Sequence, residues 1–418
     1  MWLDTLFASD VRVRTLTCLL LLLAAAPTRA ITGIDQEEDV SDLLVTRPEE
    51  YGEEETEGRR WAVIPQVGYG PDTGPLGGLK FTHRNLFGSG VTFDVAGDYS
   101  LNQQQSLGFS VGAPDVLGDG RFLAMFSADY GLDPQRDFFG LGNNDVGPDP
   151  VSTHEERDVA GELTLGWRPF RGRLAVALSA GIRHIDIEHG DRDDDTPFTT
   201  DLFPDLPGIE GGFVNPIGLA LVYNGRDDLI WPTRGWRIIA KVSHTNRELA
   251  SDFQFTRVVL DVGYLYGFFG GRHVLGARVS GGFIDGPSRD VPFWELTELG
   301  GDDTLRGFFP RRFLGQAHAL VNLEYRVKLF AFDFFDIWRV QVAAAAFGDA
   351  GRVFVHRGDL DEEFDLTNEV IDQLAENIRY SYGAGLRFIV SRAIIARVDV
   401  GFSEEETGLV YLKFGHTF

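Results

Sequence analysis

Apolar and polar residues alternate in short runs along residues 61–418, and Gly, Pro, Asn and Asp separate the runs. In one run, apolar Val321 and Leu323 alternate with polar Asn322 and Glu324. Successive side chains of a β-strand point to opposite faces, so this period predicts strands with one apolar and one polar face. Such strands fit a soluble β-sandwich or propeller, or a membrane barrel whose polar face lines the lumen.

The alternation predicts about 16 strands of the length that is usual for membrane strands. They begin near residues 61, 76, 90, 104, 120, 156, 173, 213, 235, 253, 272, 317, 338, 379, 393 and 409. Long connections follow the fifth, seventh, eleventh and thirteenth strands, at residues 132–155, 188–212, 286–316 and 350–378. In bacterial barrels the long loops are all external and the periplasmic turns are short, so long connections follow only alternate strands. Here all four long connections follow odd-numbered strands, which favours the membrane barrel.

Aromatic residues support the same arrangement. Five tryptophans fall at predicted periplasmic strand ends or turns, namely Trp61, Trp167, Trp231, Trp236 and Trp338. This is the expected position of an interfacial aromatic girdle, and Trp294, in a long loop, is an exception. The last alternating run contains Phe414 and ends at Phe418, as expected of a closing strand. The predicted fold class is all-β, a transmembrane antiparallel β-barrel of about 16 strands.

The N-terminal region has the pattern of an export signal. Two arginines precede an apolar stretch of about ten residues, which is too short to span a bilayer as a helix. Cleavage near Ala30 would make residues 1–30 a signal peptide; an N-terminal membrane anchor is the alternative. Residues 31–60 carry 11 acidic and 3 basic residues and are predicted to form a disordered linker. Residues 61–418 are then the barrel domain, located in the bacterial outer membrane.

Composition disfavours several classes of function. The formal charge of −25, from 38 basic and 63 acidic residues, is unfavourable for nucleic-acid binding, which needs a basic surface. The only cysteine, Cys18, lies in the predicted signal, so we expect no disulfide or thiolate metal site in the mature protein. The nine histidines fall in no recognisable catalytic or metal motif, and we predict neither enzymatic activity nor a cofactor.

Two predicted external loops have features of their own. Four aspartates cluster in the 188–212 loop, namely Asp191, Asp193, Asp194 and Asp195. Carboxylates can bind Ca²⁺, but the spacing matches no defined calcium loop, so a solvated acidic surface is the favoured interpretation. In the 350–378 loop, apolar residues recur at helical spacing and predict a short helix, namely Val370, Ile371, Leu374 and Ile378.

Several strings together resemble one family. Residues 300–308, GGDDTLRGF, resemble the signature loop of the BamA/TamA-like outer-membrane assembly and translocation barrels, the bacterial surface antigen family. The string lies in the sixth external loop, where that family has it. Residues 322–326, NLEYR, and 347–351, FGDAG, are similar to the family's twelfth and thirteenth strands. A periplasmic turn of the family is matched by four further residues, namely Arg226, Asp227, Pro232 and Gly235.

The resemblance implies that the sixth loop folds into the barrel and that its arginine pairs with lumenal carboxylates. The matching loop residues are Leu305, Arg306, Gly307 and Phe308. Glu324 and Asp349 lie on the polar parity of their strands, so both are expected to point into the lumen. A guanidinium can bind carboxylates bidentately, which a lysine cannot do. Without the family match, an ordinary exposed loop with a surface arginine remains the alternative.

The resemblance also implies POTRA (polypeptide-transport-associated) domains before the barrel, whereas only about 30 acidic residues separate the predicted signal from residue 61. The sequence therefore resembles a branch that has the barrel alone, which puts client handover in doubt. The predicted function is membrane-protein assembly or protein translocation, through the loop latch and the seam between the first and last strands. The alternative is a channel or lipid-handling barrel without insertase activity. Expected partners are outer-membrane lipid and nascent or translocated proteins, and the expected state is a monomer.

Overall fold

The computed structural model describes residues 61–86, 88, 90–144, 147–169, 172–190, 195–228, 231–334, 338–356, 370, 373, 377–390 and 394–414. The predicted signal peptide and acidic linker lie outside these residues, as do Asp191, Asp193, Asp194, Phe418 and the side chain of Trp338. Most of the predicted helix in the 350–378 loop lies outside them as well.

Sixteen antiparallel strands form a closed barrel, which confirms the predicted fold class. The strands are β1 (Trp61–Gly70), β2 (Gly74–Leu86), β3 (Val91–Ser100), β4 (Gln105–Ala113), β5 (Phe122–Phe138), β6 (Ser152–Trp167), β7 (Leu174–Glu188), β8 (Gly212–Val214 and Pro216–Asn224), β9 (Gly235–Thr245), β10 (Phe255–Phe268), β11 (His273–Asp285), β12 (Ala317–Phe334), β13 (Trp338–Phe354), β14 (Arg379–Val390), β15 (Ile394–Phe402) and β16 (Leu409–Phe414). Each strand pairs with the next, and β16 pairs with β1. Strand β8 is interrupted before Pro216, which has no N–H to donate to a ladder.

Helical structure in the described residues is confined to the external loops. It comprises a short α-helix, Thr199–Leu202, three 3₁₀ turns, Arg247–Leu249, Ser288–Asp290 and Phe293–Glu295, and the helical residues Val370 and Gln373. None of the described helices is both long and apolar enough to traverse a bilayer.

The faces of the barrel invert the burial pattern of a soluble protein. On β12, Leu323 is 56% exposed, whereas neighbouring Asn322 and Glu324 are buried. Arginines are prominent among the largest fully buried side chains, for example Arg326 and Arg387. The apolar side chains of each strand therefore face outward, where lipid covers them, and the alternating polar side chains line the lumen.

The hairpin of β5 and β6 is longer than the sequence predicted. The loop between these strands covers residues 139–151, not 132–155. The extension carries charged residues that compensate one another, because Arg136 lies 3.3 Å from Asp133 and 3.4 Å from Glu156. A register shift follows Asp133 and interrupts the period of two, so the alternation ends before the strand does.

The tryptophan prediction holds at the barrel wall and is wrong for one side chain. Trp61, Trp167 and Trp236 lie in strands near the periplasmic end and are exposed. Trp231 lies in the predicted periplasmic turn, but its side chain is buried and packs in an apolar cluster with Ile389. Trp231 therefore anchors the turn to the barrel interior and takes no part in a lipid-facing girdle.

Loop 6, defined here as residues 286–316 between β11 and β12, contacts lumen-facing side chains of the barrel strands. Its two arms pair as a short hairpin, Thr297–Leu299 with Phe313–Gly315. Near its base, Phe293 and Trp294 join a large apolar cluster under the external loops. Nearer its tip, a second apolar cluster packs loop 6 against β12 and β13, namely Leu299, Leu305, Phe308, Phe313, Leu320 and Val353.

Candidate functional site

The tip of loop 6 is a compact turn held by its own backbone. Gly300 and Gly301 have φ values of 120° and 89°, a region that favours glycine. The N–H of Gly301 donates to the carbonyl of Phe308 at 2.9 Å, and the Thr304 hydroxyl accepts from the N–H of Gly300 at 2.8 Å. This turn directs Arg306 away from the hairpin and toward the barrel wall.

Arg306 meets both carboxylates that the sequence singled out. Its Nη1 lies 2.6 Å from Glu324 Oε2 on β12. Its Nε and Nη2 donate to the two oxygens of Asp349 on β13, at 2.9 and 2.7 Å. The guanidinium also stacks on Phe347, 3.6 Å from the ring centroid. Arg306 is fully buried, so the bidentate geometry and the aromatic contact stabilise a charge that has lost its hydration.

The carboxylates belong to a wider network across the wall. Glu324 also lies 2.8 Å from Arg326 and 3.2 Å from Arg387, which in turn lies 2.5 Å from Asp399 on β15. Asn322 donates to Asp349 at 2.8 Å and to the Thr304 carbonyl at 2.7 Å. The charges of loop 6, β12, β13, β14 and β15 are thereby mutually compensated, which buried ions require.

A second ionic contact joins the loop tip to the last two strands. Asp302 and Asp303 each lie 2.5 Å from Arg397 on β15. Lys413 on β16 lies 2.9 Å from Asp302 and 3.7 Å from Asp303. Burial alone would raise the pKa of Asp303, but Arg397 and Lys413 hold that pKa well below its usual range.

The backbone of the loop 6 tip also lies very close to the backbone of β15. A Cβ on Gly307 would lie 2.4 Å from the carbonyl oxygen of Phe402 on β15. A Cβ on Gly401 would lie 1.7 Å from the carbonyl oxygen of Arg306. The Tyr411 hydroxyl on β16 donates to the Phe308 carbonyl at 2.9 Å. Two glycines thus allow the loop tip to lie directly against β15 and β16.

The structure therefore brings together the predicted loop residues Leu305, Arg306, Gly307 and Phe308 with Glu324 and Asp349. Sequence reasoning missed the contacts of Asp302 and Asp303 with Arg397 and Lys413. The charged parity of the last two strands was visible, but only the closed barrel brings those strands to the loop tip. Within the described part of the chain, no group of three or more potential metal ligands occurs.

The predicted periplasmic turn is a separate structure. Asp227 accepts from the backbone N–H groups of Thr233 and Arg234 at 2.8 and 3.1 Å, and from the Thr233 hydroxyl at 2.6 Å. Partial burial opposes ionisation, but the Thr233 hydrogen bonds lower the pKa of Asp227. Gly235 has φ 119°, and a Cβ there would lie 2.3 Å from the Gly225 carbonyl oxygen. Arg226 donates to Asn224, and Pro232 follows buried Trp231.

A buried hydroxyl, histidine and carboxylate meet elsewhere, on β6 and in the loop between β7 and β8. His154 Nδ1 lies 3.1 Å from Thr199 Oγ1, and His154 Nε2 lies 3.8 Å from Glu156. All three side chains are at most 3% exposed, and the ring of Phe293 packs edge-on against His154. Glu156 already neutralises Arg136 and Arg311. We interpret this cluster as a structural support for the external loops.

The structure describes only part of the seam between β1 and β16, because residues 415–418 lie outside the described residues. In the described residues, Tyr69 and Leu412 are the one residue pair that joins these strands. By contrast, all six described residues of β16 pair with β15. Phe414, a predicted part of the closing signal, pairs with Ala396 on β15 and is half-buried.

Three solved structures share the fold at low sequence identity. BamA from Haemophilus ducreyi lacking POTRA domains 1-3 matches with a TM-score of 0.62 and 16% identity, over 86% of this chain and 70% of that one. CdiB from Escherichia coli matches with a TM-score of 0.56 and 14% identity, over 86% of this chain and 64% of that one. CdiB from Acinetobacter baumannii matches with a TM-score of 0.50 and 12% identity, over 85% of this chain and 60% of that one. This chain thus spans from 60% to 70% of the length of these proteins.

No curated protein gives a significant match to the sequence. The family model of the Omp85 superfamily domain matches residues 85–418, which is most of the chain. That range includes the loop 6 tip, its carboxylate partners and the closing strand. With the 16-strand barrel, this match shows that the chain belongs to the Omp85 superfamily.

Proposed function

We propose that this barrel assists the insertion or translocation of proteins at the outer membrane, through the seam between β1 and β16. The observation that carries the proposal is the single described pair, Tyr69 with Leu412, that joins the two strands. In an ordinary barrel the closing strands share a full ladder, because an open edge attracts other strands. Where described residues such as Gly68 and Lys413 do not pair across the seam, their backbone groups are available to a client strand that adds by β-augmentation.

The position of the pair favours addition from the periplasm. Tyr69 lies at the external end of β1, next to the tight turn into β2. Continuing the antiparallel register would pair Gly68 with Lys413 and Val67 with Phe414, but neither pair occurs among the described residues. Gly68 and Val67, on the periplasmic side of Tyr69, are thus the part of this edge that a client arriving from the periplasm would meet.

Loop 6 has a supporting role in this proposal. Its tip is held by ion pairs to β12, β13, β15 and β16, so it braces one side of the seam from within. A braced wall can exchange one strand partner for another without collapse of the lumen. We therefore propose that Arg306, Glu324 and Asp349 form a latch that maintains the insertion-competent shape of the wall.

The test is a reversible lock across the seam. Tyr69→Cys and Leu412→Cys would be combined in a chain in which Cys18 is replaced or removed. Directly paired residues on neighbouring antiparallel strands lie within disulfide range. The barrel would be reconstituted in liposomes, and the folding of an added unfolded reporter barrel would be followed by its gel mobility. We expect faster reporter folding with the reduced barrel and loss of the effect after oxidation.

A control disulfide between two other strands distinguishes the effect of closing the seam from the effect of making the barrel more rigid. Val258→Cys and Phe283→Cys pair directly on β10 and β11, far from the seam in the strand order. Oxidation of this pair should leave the acceleration intact. Equal acceleration by the oxidised seam variant would contradict the seam mechanism. Failure of the reduced barrel to accelerate folding, together with a large steady conductance or lipid movement, would favour the channel or lipid-handling alternative.

A further inference from the structure

A cavity of about 300 Å³ lies in the lumen between loop 6 and the wall formed by β5 and by β7 to β12. On one side it meets Glu295 and Thr304 of loop 6, and on the other it meets Arg183 of β7 and Ser280 of β11. Its volume falls at the lower end of the range of ordinary small-molecule sites. The cavity is separate from the latch, because Arg306, Glu324 and Asp349 do not line it.

Arginines are the most numerous charged side chains that line this cavity. Six arginines line it, namely Arg136, Arg183, Arg237, Arg257, Arg278 and Arg311. Four carboxylates line it as well, namely Asp261, Glu295, Glu298 and Asp303. Several of these guanidinium groups also pair with carboxylates behind the lining, Arg183 with Asp158, and Arg136 and Arg311 with Glu156. The case for an anionic occupant therefore depends on donors that these ion pairs leave unused.

Two of the arginines retain donor capacity. Arg257 bonds Glu295 through Nη2 alone, while Nε and Nη1 have no hydrogen-bond partner among the described residues. Arg278 bonds Asp261 through Nε and the Asp303 carbonyl through Nη1, which leaves Nη2 available. Guanidinium groups bind carboxylate, sulfonate and phosphate oxygens with directional, charge-assisted hydrogen bonds. An anion can therefore bind here without breaking the ion pairs already present.

Apolar side chains form another part of the lining. Phe255 and Val259 of β10, Leu320 of β12 and Trp294 of loop 6 face the same cavity. Apolar walls with a few convergent polar donors are characteristic of organic ligand sites. An inorganic ion would leave this surface unused, whereas an aromatic or short aliphatic group would cover it.

We infer that this cavity binds a small amphipathic organic anion, which has one carboxylate, sulfonate or phosphate group on an apolar or aromatic body. The anionic group contacts Arg257 and Arg278. The apolar body lies against Phe255, Val259 and Trp294. This site is independent of client handling at the seam.

The test uses 2-naphthalenesulfonate as the probe and the full barrel in lipid nanodiscs. Calorimetric titration should give saturable binding that empty nanodiscs lack, and the neutral analogue 2-naphthalenemethanol should bind at least about tenfold more weakly. Arg257→Gln should weaken binding about tenfold or more, since it removes a charged donor. Val259→Phe, which adds volume in the cavity, should abolish binding. Arg121→Gln, at an exposed arginine between β4 and β5, should have no effect.

Folding of each variant is checked by the gel mobility of the unheated barrel. Equal binding by the wild-type protein, Arg257→Gln and Val259→Phe would overturn the inference, because it would mean adsorption to lipid or to the outer surface. Absence of saturable binding to the folded wild-type barrel would overturn it as well. Neither result bears on reporter folding at the seam, so the two proposals fail separately.

Discussion

The ammonium of Lys413 lies 2.9 Å from a carboxylate oxygen of Asp302. Lys413 belongs to β16, the strand that closes the barrel, and Asp302 belongs to the tip of loop 6. The Tyr411 hydroxyl reinforces this contact by donating to the Phe308 carbonyl. Loop 6 and the seam are therefore physically joined, and a displacement of the loop tip changes the support of β16.

This contact predicts that Lys413→Gln loosens the closing strand. Removal of a charged partner from Asp302 should increase hydrogen exchange of the amides in β16 about tenfold, from the usual contribution of a charged hydrogen bond. Exchange measured by mass spectrometry on the peptide that contains β16 checks this. Lys413→Arg is the control and should retain slow exchange. Unchanged exchange in Lys413→Gln would show that the backbone ladder with β15 suffices to hold β16.

The latch predicts a large effect of Arg306→Ala on stability. The substitution leaves Asp349 buried without its cationic partner and removes one of three arginines from Glu324. Breaking a buried ion pair in this way costs about 3–5 kcal/mol. The midpoint of unfolding in urea, followed by gel mobility, should fall accordingly. Arg306→Lys should also destabilise the barrel, because lysine cannot bind Asp349 bidentately.

The matched control for this prediction lies in the same loop. The Arg289 side chain is 57% exposed, so Arg289→Ala should change the free energy of unfolding by less than about 0.5 kcal/mol. Similar midpoints for Arg306→Ala and Arg289→Ala would refute a stabilising latch.

Steric contact predicts that Gly307→Ala displaces the loop tip. The added Cβ would lie 2.4 Å from the Phe402 carbonyl oxygen, and rotation of a side chain cannot relieve a backbone contact. Limited proteolysis should therefore cleave loop 6 faster in the variant than in the wild-type protein. Gly348→Ala is the matched control, because a Cβ there would meet only the Ser381 carbonyl oxygen, at 4.0 Å. Equal cleavage of the two variants would contradict the close packing of the tip.

Acid should release the contact between loop 6 and the last two strands. Because the pKa of Asp303 is lower in the folded protein than in an unfolded chain, its ion pairs stabilise the docked loop at neutral pH. This stabilisation is complete above the ordinary aspartate pKa, near 4, and is lost as the pH falls through the depressed value. Protection of loop 6 from hydrogen exchange should decline below about pH 4. Asp303→Asn should flatten this dependence, and an unaltered profile would point to another titrating group.

Much of the fold and part of the latch were accessible from the sequence. The alternation of Val321, Asn322, Leu323 and Glu324 assigned the faces of β12, because strand geometry has a fixed local period. The same parity directed Glu324 and Asp349 into the lumen, and the resemblance of the loop string connected them with Arg306. The extension of β5 and β6 was missed because the ion pairs of Arg136 replace apolar alternation in that segment.

The sequence by itself determined the strands, their faces and the parity of the loops, since these depend on neighbouring residues and on a period of two. Only the tertiary structure decided that Asp302 meets Lys413, that Trp231 lies inside the barrel, and that six arginines surround one cavity. Each of these depends on closure, which joins segments up to several hundred positions apart in the chain. Distances across a closed barrel follow from the number and register of its strands, and no local pattern in the sequence encodes them.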